Sequence, residues 1–535
     1  MLLLGDSRVS LIQTETDILI VGAGPTGLVL ALWLARSGIK PRIIDKAAGP
    51  GEASRAMAVQ ARTLEYYRQL GIADDVIARG LKMLGIRVRH DGHVAARFEF
   101  GDLGAGISPY PFVLSFPQDE HEKLLLAKLN SLGVTVEWNT ELTGLHDDGL
   151  RVSAKIRVND SESEIECSYL CGCDGAHSAV RQRLGIGFTG GTYPHRFFVA
   201  DVSATGPAAD GNINGCFGVN NLCLVFPIRT TGSSRLIGIL PESLANREQV
   251  TYDDVRDWVQ PLIGLQVTQV NWFSTYRIHH RVADRFQVGR VFIAGDAGHV
   301  HSPVGGQGMN TGIGDAVNLA WKLAAVIRNR GPSLLLNTYQ SERIRYARSL
   351  VATTDRAFSI VIGHDLRGWA FRRFFVPFVM PLALRFAAFR RFLFRLVSQT
   401  QIEYTPSPLS VGRAGQLRAG HRLPWISSLN NFRPLQSLDW QIHVYGHATP
   451  TLKEAGQQHN IPLHEFAWSH DAYAAGLHRN AVYLVRPDGY VGYVSAGQDV
   501  SGVVQYVREF GSDRLGSDGG AMNHNLSSSR KRSNS

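Results

Sequence analysis

Residues 17–45 read DILIVGAGPTGLVLALWLARSGIKPRIID. The apolar run from Ile18 to Val21 has the composition of a buried strand and leads into glycines at 22, 24 and 27. A helical pattern from Leu28 to Ser37 then stops at Gly38, a natural C-cap. A second β run, Pro41 to Ile44, delivers Asp45 with Lys46 beside it. Each part has a task in gripping a dinucleotide. Gly22 permits the tight turn, Gly24 lets the backbone approach a pyrophosphate, and Gly27 lets helix and strand pack closely. The helix start offers unpaired N–H groups and partial positive charge to the phosphates. Asp45, 23 positions after Gly22, suits a ribose hydroxyl. Alone, a G-x-G-x-x-G says little; bounded by strand, helix and acid it is a strong signal. The motif serves FAD and NAD alike, and it has no second copy downstream.

Two further clusters have the same strand-to-loop-to-helix form, each with an acid at the strand end. One is LCGCDGAHSAVRQRL at 170–184; the other is GRVFIAGDAGHVHSPVGGQGMNTGIGDAVNLAWKL at 289–323. In the second, Val291 to Ala294 reads as a short buried strand that places Asp296 for a ribityl or ribose hydroxyl. Gly305, Gly306 and Gly308 leave room for backbone to run along a flat ring system. From about Gly312 the apolar spacing is helical, and a helix N-terminus there would stabilise negative charge on a reduced flavin.

These three segments, at 22–45, 173–181 and 295–323, resemble the dinucleotide, Asp-Gly and Gly-Asp motifs of the FAD-dependent aromatic hydroxylases. Their order matches too, and the resemblance spans roughly residues 15–350 and extends to the phenol-hydroxylase-like branch. It implies an α/β fold: a Rossmann-type, glutathione-reductase-like FAD domain interleaved with a mixed β-sheet substrate domain, plus a C-terminal thioredoxin-like domain. It implies that Asp174, Ser178 and Arg181 serve FAD and NADPH recognition, and that Asp296 binds the FAD ribityl chain. Pro303, Gly305, Gly306, Gly308, Met309 and Asn310 would meet the flavin ring. Arg55 resembles the arginine that approaches the FAD phosphates, and Gln118 the glutamine beside FAD. The implied activity is an FAD-dependent monooxygenase consuming NAD(P)H and O2. Through a C4a-hydroperoxyflavin it would hydroxylate an aromatic or polyketide-like substrate. The alternative is a flavin-dependent dehydrogenase or oxidase without oxygen insertion.

Between the second and third motifs, short alternating runs such as Leu222 to Ile228 and Arg235 to Leu240 predict an antiparallel sheet. The expected domains are an N-terminal extension at 1–14 and a catalytic domain at 15–360, with substrate-sheet insertions at about 85–115 and 190–280. Pocket lining is expected from that sheet and from Pro111 to Leu114. Arg277, His280 and Arg281, just before the third motif, are candidates to polarise or deprotonate a phenol. A role in hydrogen-bonding domain-interface carbonyls is the favoured reading of them. A helical basic segment follows at 361–404, with seven arginines between Arg367 and Arg395. Its setting is either an anionic membrane surface or a cover over the catalytic domain or a subunit partner, and the cover is favoured. That leaves a homodimer open. Residues 405–511 show β runs at Gln441 to Tyr445 and Ala481 to Val485, and a hairpin turn at Pro487-Asp488-Gly489. This stretch contains no Cys, which excludes thioredoxin chemistry. Residues 512–535 have the composition of a disordered tail.

Composition narrows the rest. A net charge of +9 comes without any nucleic-acid-binding motif, so no nucleic-acid partner is expected. Five Cys lack paired spacing, which points to a reducing cytoplasm. Cys171 and Cys173 read as small fillers on a buried strand. No metal site is indicated, because His299 and His301 have no acid or Cys ligand set nearby. The apolar N-terminus is too short for a signal peptide, and no uncharged apolar run could span a bilayer. A disulfide reductase is excluded because the first Cys is at 167, and a flavin halogenase because no two Trp are two apart.

Overall fold

The computed structural model describes residues 14–51, 56–83, 85–90, 92–99, 104–218, 221–228, 233–302, 306–362, 368, 374–375, 378–383 and 385–511. Arg55, Pro303 and Gly305, the expected extension before residue 14 and the expected tail after 511 lie outside these residues.

The strand Glu15–Val21 sits at the centre of the first sheet, parallel to Arg42–Ile44 on one side and Ser161–Gly172 on the other. Val136–Glu137 and Val291–Ile293 extend the parallel core outward. Gln287–Val288 closes one edge antiparallel, and the pair Thr140–Asp147 and Val152–Val158 branches from Ser161–Gly172. Ile18, Leu19 and Ile20 are fully buried, as a parallel strand covered on both faces requires. Cys171 lies buried on the neighbouring strand and Cys173 just past its end, both as free thiols. The helix Pro25–Arg36 packs over the sheet against the long helix Gly308–Ile327. The two come so close that a Cβ on Gly312 would lie 2.4 Å from Thr26 Oγ1.

The second sheet has eight strands, among which Phe188–Thr205 and Gln266–Ala283 form a long twisted pair interrupted by bulges. Ser233–Ile239, Leu222–Pro227 and Ile213–Phe217 continue it antiparallel, as the alternating runs predicted. Gly85–His90 then joins in parallel to Ile213–Phe217, with His93–Glu99 at the edge. The expected insertion at 85–115 therefore divides. Its later part, Val113–Ser115, pairs instead with Ala58–Val59 and Leu81–Met83 in a separate three-stranded sheet. A hydrogen bond from Ser115 Oγ to the Pro227 carbonyl ties that small sheet to the second one.

The C-terminal sheet runs Leu417–Arg418, Val411–Ala414, Val491–Ser495, Val482–Val485, Gln441–Tyr445, Leu463–Phe466. The predicted hairpin turn lies between Val482–Val485 and Val491–Ser495, with Gly489 at φ 77°. This unit is joined to the rest of the chain by a buried cluster of ions. Arg486 donates to Glu342 Oε1 (2.8 Å) and Oε2 (3.0 Å) and to Asp488 Oδ2 (2.6 Å), and Lys322 Nζ lies 2.9 Å from Glu342. Burial pulls the Lys322 ammonium down to about 8, while Arg486 and Lys322 hold Glu342 well below the usual carboxylate range against its own burial. Arg62 and Arg422 both reach Glu65, and Arg62 also donates to the Asp488 carbonyl.

Candidate functional site

The ends of the parallel strands and the inner face of the second sheet enclose a cavity of about 940 Å³. Its floor is made by the three glycine-rich segments. Gly22 has φ 106°, and a Cβ there would lie 2.4 Å from the Cys173 carbonyl oxygen. A Cβ on Gly27 would lie 1.9 Å from the Gly22 oxygen, so both positions require glycine for packing. Gly24 differs. It caps the helix with an ordinary φ of −71°, and a Cβ there would meet nothing within 4 Å. It lines the cavity, so its lack of a side chain keeps space clear in front of the helix N-terminus.

Asp45 follows its strand into the cavity wall, with Lys46 exposed beside it. The Asp45 carboxylate accepts from Ala23 N (2.7 Å) and Ala47 N (2.8 Å), which fixes the turn around it. Gln118 opens the helix Gln118–Ser131 at the cavity edge, accepts from Ala56 N (3.1 Å) and donates to Glu122 (2.8 Å). Burial raises the Glu122 carboxyl. Asp174 also lines the cavity; its Oδ2 accepts from Val180 N (3.1 Å), while Oδ1 is buried with no partner among the described residues. Ser178 caps the short helix Ala179–Arg183 by accepting from Arg181 N (2.9 Å). Arg181 then crosses to the third motif, donating to the Ala297 carbonyl (2.9 Å) and to Ala176 (2.8 Å). It therefore locks two cofactor loops together rather than lining the cavity.

Asp296, Gly306, Gly308 and Met309 line the cavity, with Gly306 at φ 60°. Asn310 sits behind them. It accepts from Gln60 N and Thr63 Oγ1 and donates to Ala58 and Gly306, which occupies both ends of its amide. Its place is to clamp the loop onto the strand Ala58–Val59, not to face a ring. Arg277, His280 and Arg281 lie on Gln266–Ala283 and are not among the described residues lining the cavity. Arg277 is exposed, and His280 packs on Tyr193 and stands 3.8 Å from Asp355.

The roof is apolar: Phe197, Phe217, Leu222, Leu224, Phe226 and Ile237 face inward, with Val113 from the small sheet. One charged pair breaks this surface. Arg235, 1% exposed, is gripped by Asp201 through two 2.7 Å hydrogen bonds. His301 was not singled out from sequence as a cavity residue, yet its ring faces in. Its Nδ1 lies 2.7 Å from the Ser302 carbonyl and must donate to it, and its Nε2 is buried with no partner among the described residues. Burial pulls this imidazole down to about 4, so it is neutral at physiological pH. Ser302 also lines the cavity, with its Oγ buried and without a partner among the described residues.

The cleared space at Gly24 and the acids at 45, 174 and 296 fit a dinucleotide with phosphate and sugar groups. Comparison with known proteins agrees: the FAD binding domain family matches residues 15–354. The chain belongs to that FAD-binding family. It is 35% identical over 423 residues to 6-methylpretetramide 4-monooxygenase of Streptomyces rimosus, covering 76% of this chain and 73% of that one. It is 34% identical over 504 residues to a flavin-dependent monooxygenase of Mycobacteroides abscessus, covering 89% of this chain and 97% of that one. The solved structure of the OxyS anhydrotetracycline hydroxylase from Streptomyces rimosus superposes with a TM-score of 0.74 at 28% identity, over 93% of this chain and 99% of that one. This flavin-dependent monooxygenase therefore takes FAD as its cofactor. Among the described residues no helix is long and apolar enough to cross a membrane.

Proposed function

We propose that this monooxygenase spends NAD(P)H and O2 to hydroxylate an electron-rich, fused-ring aromatic substrate of the polyketide kind. Overall, substrate C–H, O2, NAD(P)H and a proton give substrate C–OH, NAD(P)+ and water. The observation that carries the reading is the cavity of about 940 Å³, with dinucleotide loops for a floor and a phenylalanine- and leucine-rich roof. A flat apolar substrate would be held by that roof against a ring on the floor, and the roof would exclude water.

When bound, FAD supplies the chemistry, accepting hydride from NAD(P)H and passing one atom of O2 to the aromatic ring. The chain's own residues do the rest. Gly22, Gly24 and Asp45 hold the dinucleotide, with Asp174 and Asp296 on its sugar and ribityl hydroxyls. The N-terminus of Gly308–Ile327 faces the floor and favours negative charge there. His301 lines the cavity as a neutral side chain, with its Nε2 closed off from the open space beside Gly308. Arg235, neutralised by Asp201, fixes a polar edge of the substrate on an otherwise apolar roof.

The C-terminal unit at 405–511 is assigned a thioredoxin-like fold with a structural role. Support comes from four consecutive strands at one end of its sheet, in space Leu463–Phe466, Gln441–Tyr445, Val482–Val485, Val491–Ser495, with the first pair parallel and the next two antiparallel. The reading is tested by NAD(P)H consumption of FAD-loaded protein across phenols of one to four fused rings, with product masses recorded. Substrates of three or four rings are expected to accelerate consumption most and to gain about 16 mass units. Acceleration confined to single-ring phenols would overturn the substrate class.

A further inference from the structure

The helix Ala387–Val397 carries two apolar faces, and only one of them is used. Leu393, Phe394 and Val397 turn inward and line the cavity. On the opposite side Ala388, Phe392 and Leu396 are exposed, flanked by exposed Arg391 and Arg395. The residues just before the helix extend this surface. Phe378 is 65% exposed, Phe386 64%, Leu382 56% and Val379 46%, with Arg385 exposed among them. Outside residues 374–396, the exposed large apolar side chains of the described chain are scattered singly.

Charge decides what fits there. From Leu366 to Ile402 the chain has seven arginines and no acid at all. A second copy packed on this face across a two-fold axis would set arginines against arginines with no carboxylate to separate them. A bilayer with anionic headgroups answers both features. Phosphate groups complement the guanidinium groups, while phenyl and leucyl side chains settle among the upper acyl carbons.

We infer that the surface formed by Phe378, Leu382, Phe386, Phe392 and Leu396, with Arg385, Arg391 and Arg395, docks on an anionic lipid surface. The favoured expectation from sequence was that this segment covers protein. It does so on its inner face only. Because the same helix lines the cavity on that inner face, docking brings the cavity wall to the membrane, where a fused-ring apolar substrate would be concentrated. The inference stands whatever the reaction, since it rests on the outer face alone.

Each basic residue near an anionic surface raises partitioning about 5-fold, so three exposed arginines give roughly a 100-fold preference over neutral lipid at low salt. The test is co-sedimentation of the FAD-loaded full chain with vesicles of phosphatidylcholine alone or with 30% phosphatidylglycerol. Binding is expected to the anionic vesicles only and to fall steeply with NaCl. Arg391→Gln/Arg395→Gln should weaken it about 25-fold. Phe386→Asn/Phe392→Asn should abolish it while FAD content and thermal transition stay at wild-type values. Equal sedimentation with both vesicles, or none with either, overturns the inference. So does a dimer in solution that the Phe386→Asn/Phe392→Asn change converts to monomer, since the face would then meet a second copy.

Discussion

Replacing Arg486 by Met removes the one side chain that bonds both Glu342 and Asp488 inside the protein. All three side chains are at most 1% exposed, and Arg486 makes charge-assisted hydrogen bonds to each carboxylate. Lys322 still neutralises Glu342 at 2.9 Å, and Trp321 Nε1 still donates to Asp488 at 3.1 Å. What remains is one uncompensated buried negative charge, which costs about 3–5 kcal/mol. The shift in melting temperature depends on what unfolds together. At about 2.1 cal/mol/K per residue, 4 kcal/mol lowers Tm by roughly 4 °C if about 500 residues unfold as one unit. If residues 405–511 unfolded alone, the same loss would lower it by roughly 18 °C. Lys322 and Glu342 belong to the FAD-binding part and Arg486 and Asp488 to the C-terminal sheet, so the cluster couples the two. Calorimetry should therefore show a single transition in wild type and a shift of about 4 °C in the variant. The double variant Arg486→Met/Asp488→Asn should recover part of the loss, because it removes the stranded charge while Lys322 stays paired with Glu342. A variant as stable as wild type, or one early transition moved by 15 °C or more, would refute the reasoning.

Other expected outcomes follow from the floor and the buried imidazoles. Gly24→Ala places its Cβ in open space, so the protein should fold normally yet bind FAD about 10- to 100-fold more weakly, by flavin fluorescence titration. Gly27→Ala drives a Cβ to 1.9 Å from the Gly22 oxygen and should lower thermal stability as well as FAD content. Burial depresses His121 and His443 to about 3 and His301 to about 4, so below pH 6.5 the unfolded chain binds protons that the folded chain refuses. Stability is then complete above pH 6.5 and lost as the pH falls towards 4. Urea midpoints at pH 7, 5.5 and 4.5 should drop progressively, and less so in His443→Gln.

The sequence was most informative where backbone geometry admits only one residue type. Gly22 and Gly27 are crowded by carbonyl oxygens, and the strand, helix and acid around them fix a dinucleotide floor. The β run Gln441–Tyr445 and the turn at Pro487 to Gly489 were legible for the same local reasons. Long-range pairings were not. Arg235 reads as one more strand residue until Asp201, 34 positions earlier, is brought beside it by the second sheet. The ring of His301 is aimed by a hydrogen bond to the next residue's carbonyl, which no spacing rule encodes. Asn310 lies one residue past the lining residue Met309, and its helix turn points it at Ala58 instead of the cavity. On Gln266–Ala283, bulges in the pairing break simple alternation, so strand periodicity did not tell which of Arg277, His280 and Arg281 would face inward.

The central claim is oxygen insertion at the cavity above the FAD floor, and labelled dioxygen tests it most directly. FAD-loaded protein, NAD(P)H and the best fused-ring phenol are incubated under 18O2 in ordinary water, and the product is weighed. One 18O atom per product molecule is expected, with one NAD(P)H oxidised for each. Product oxygen drawn from water, or NAD(P)H oxidation that yields only hydrogen peroxide with every substrate accepted by the cavity, would contradict it.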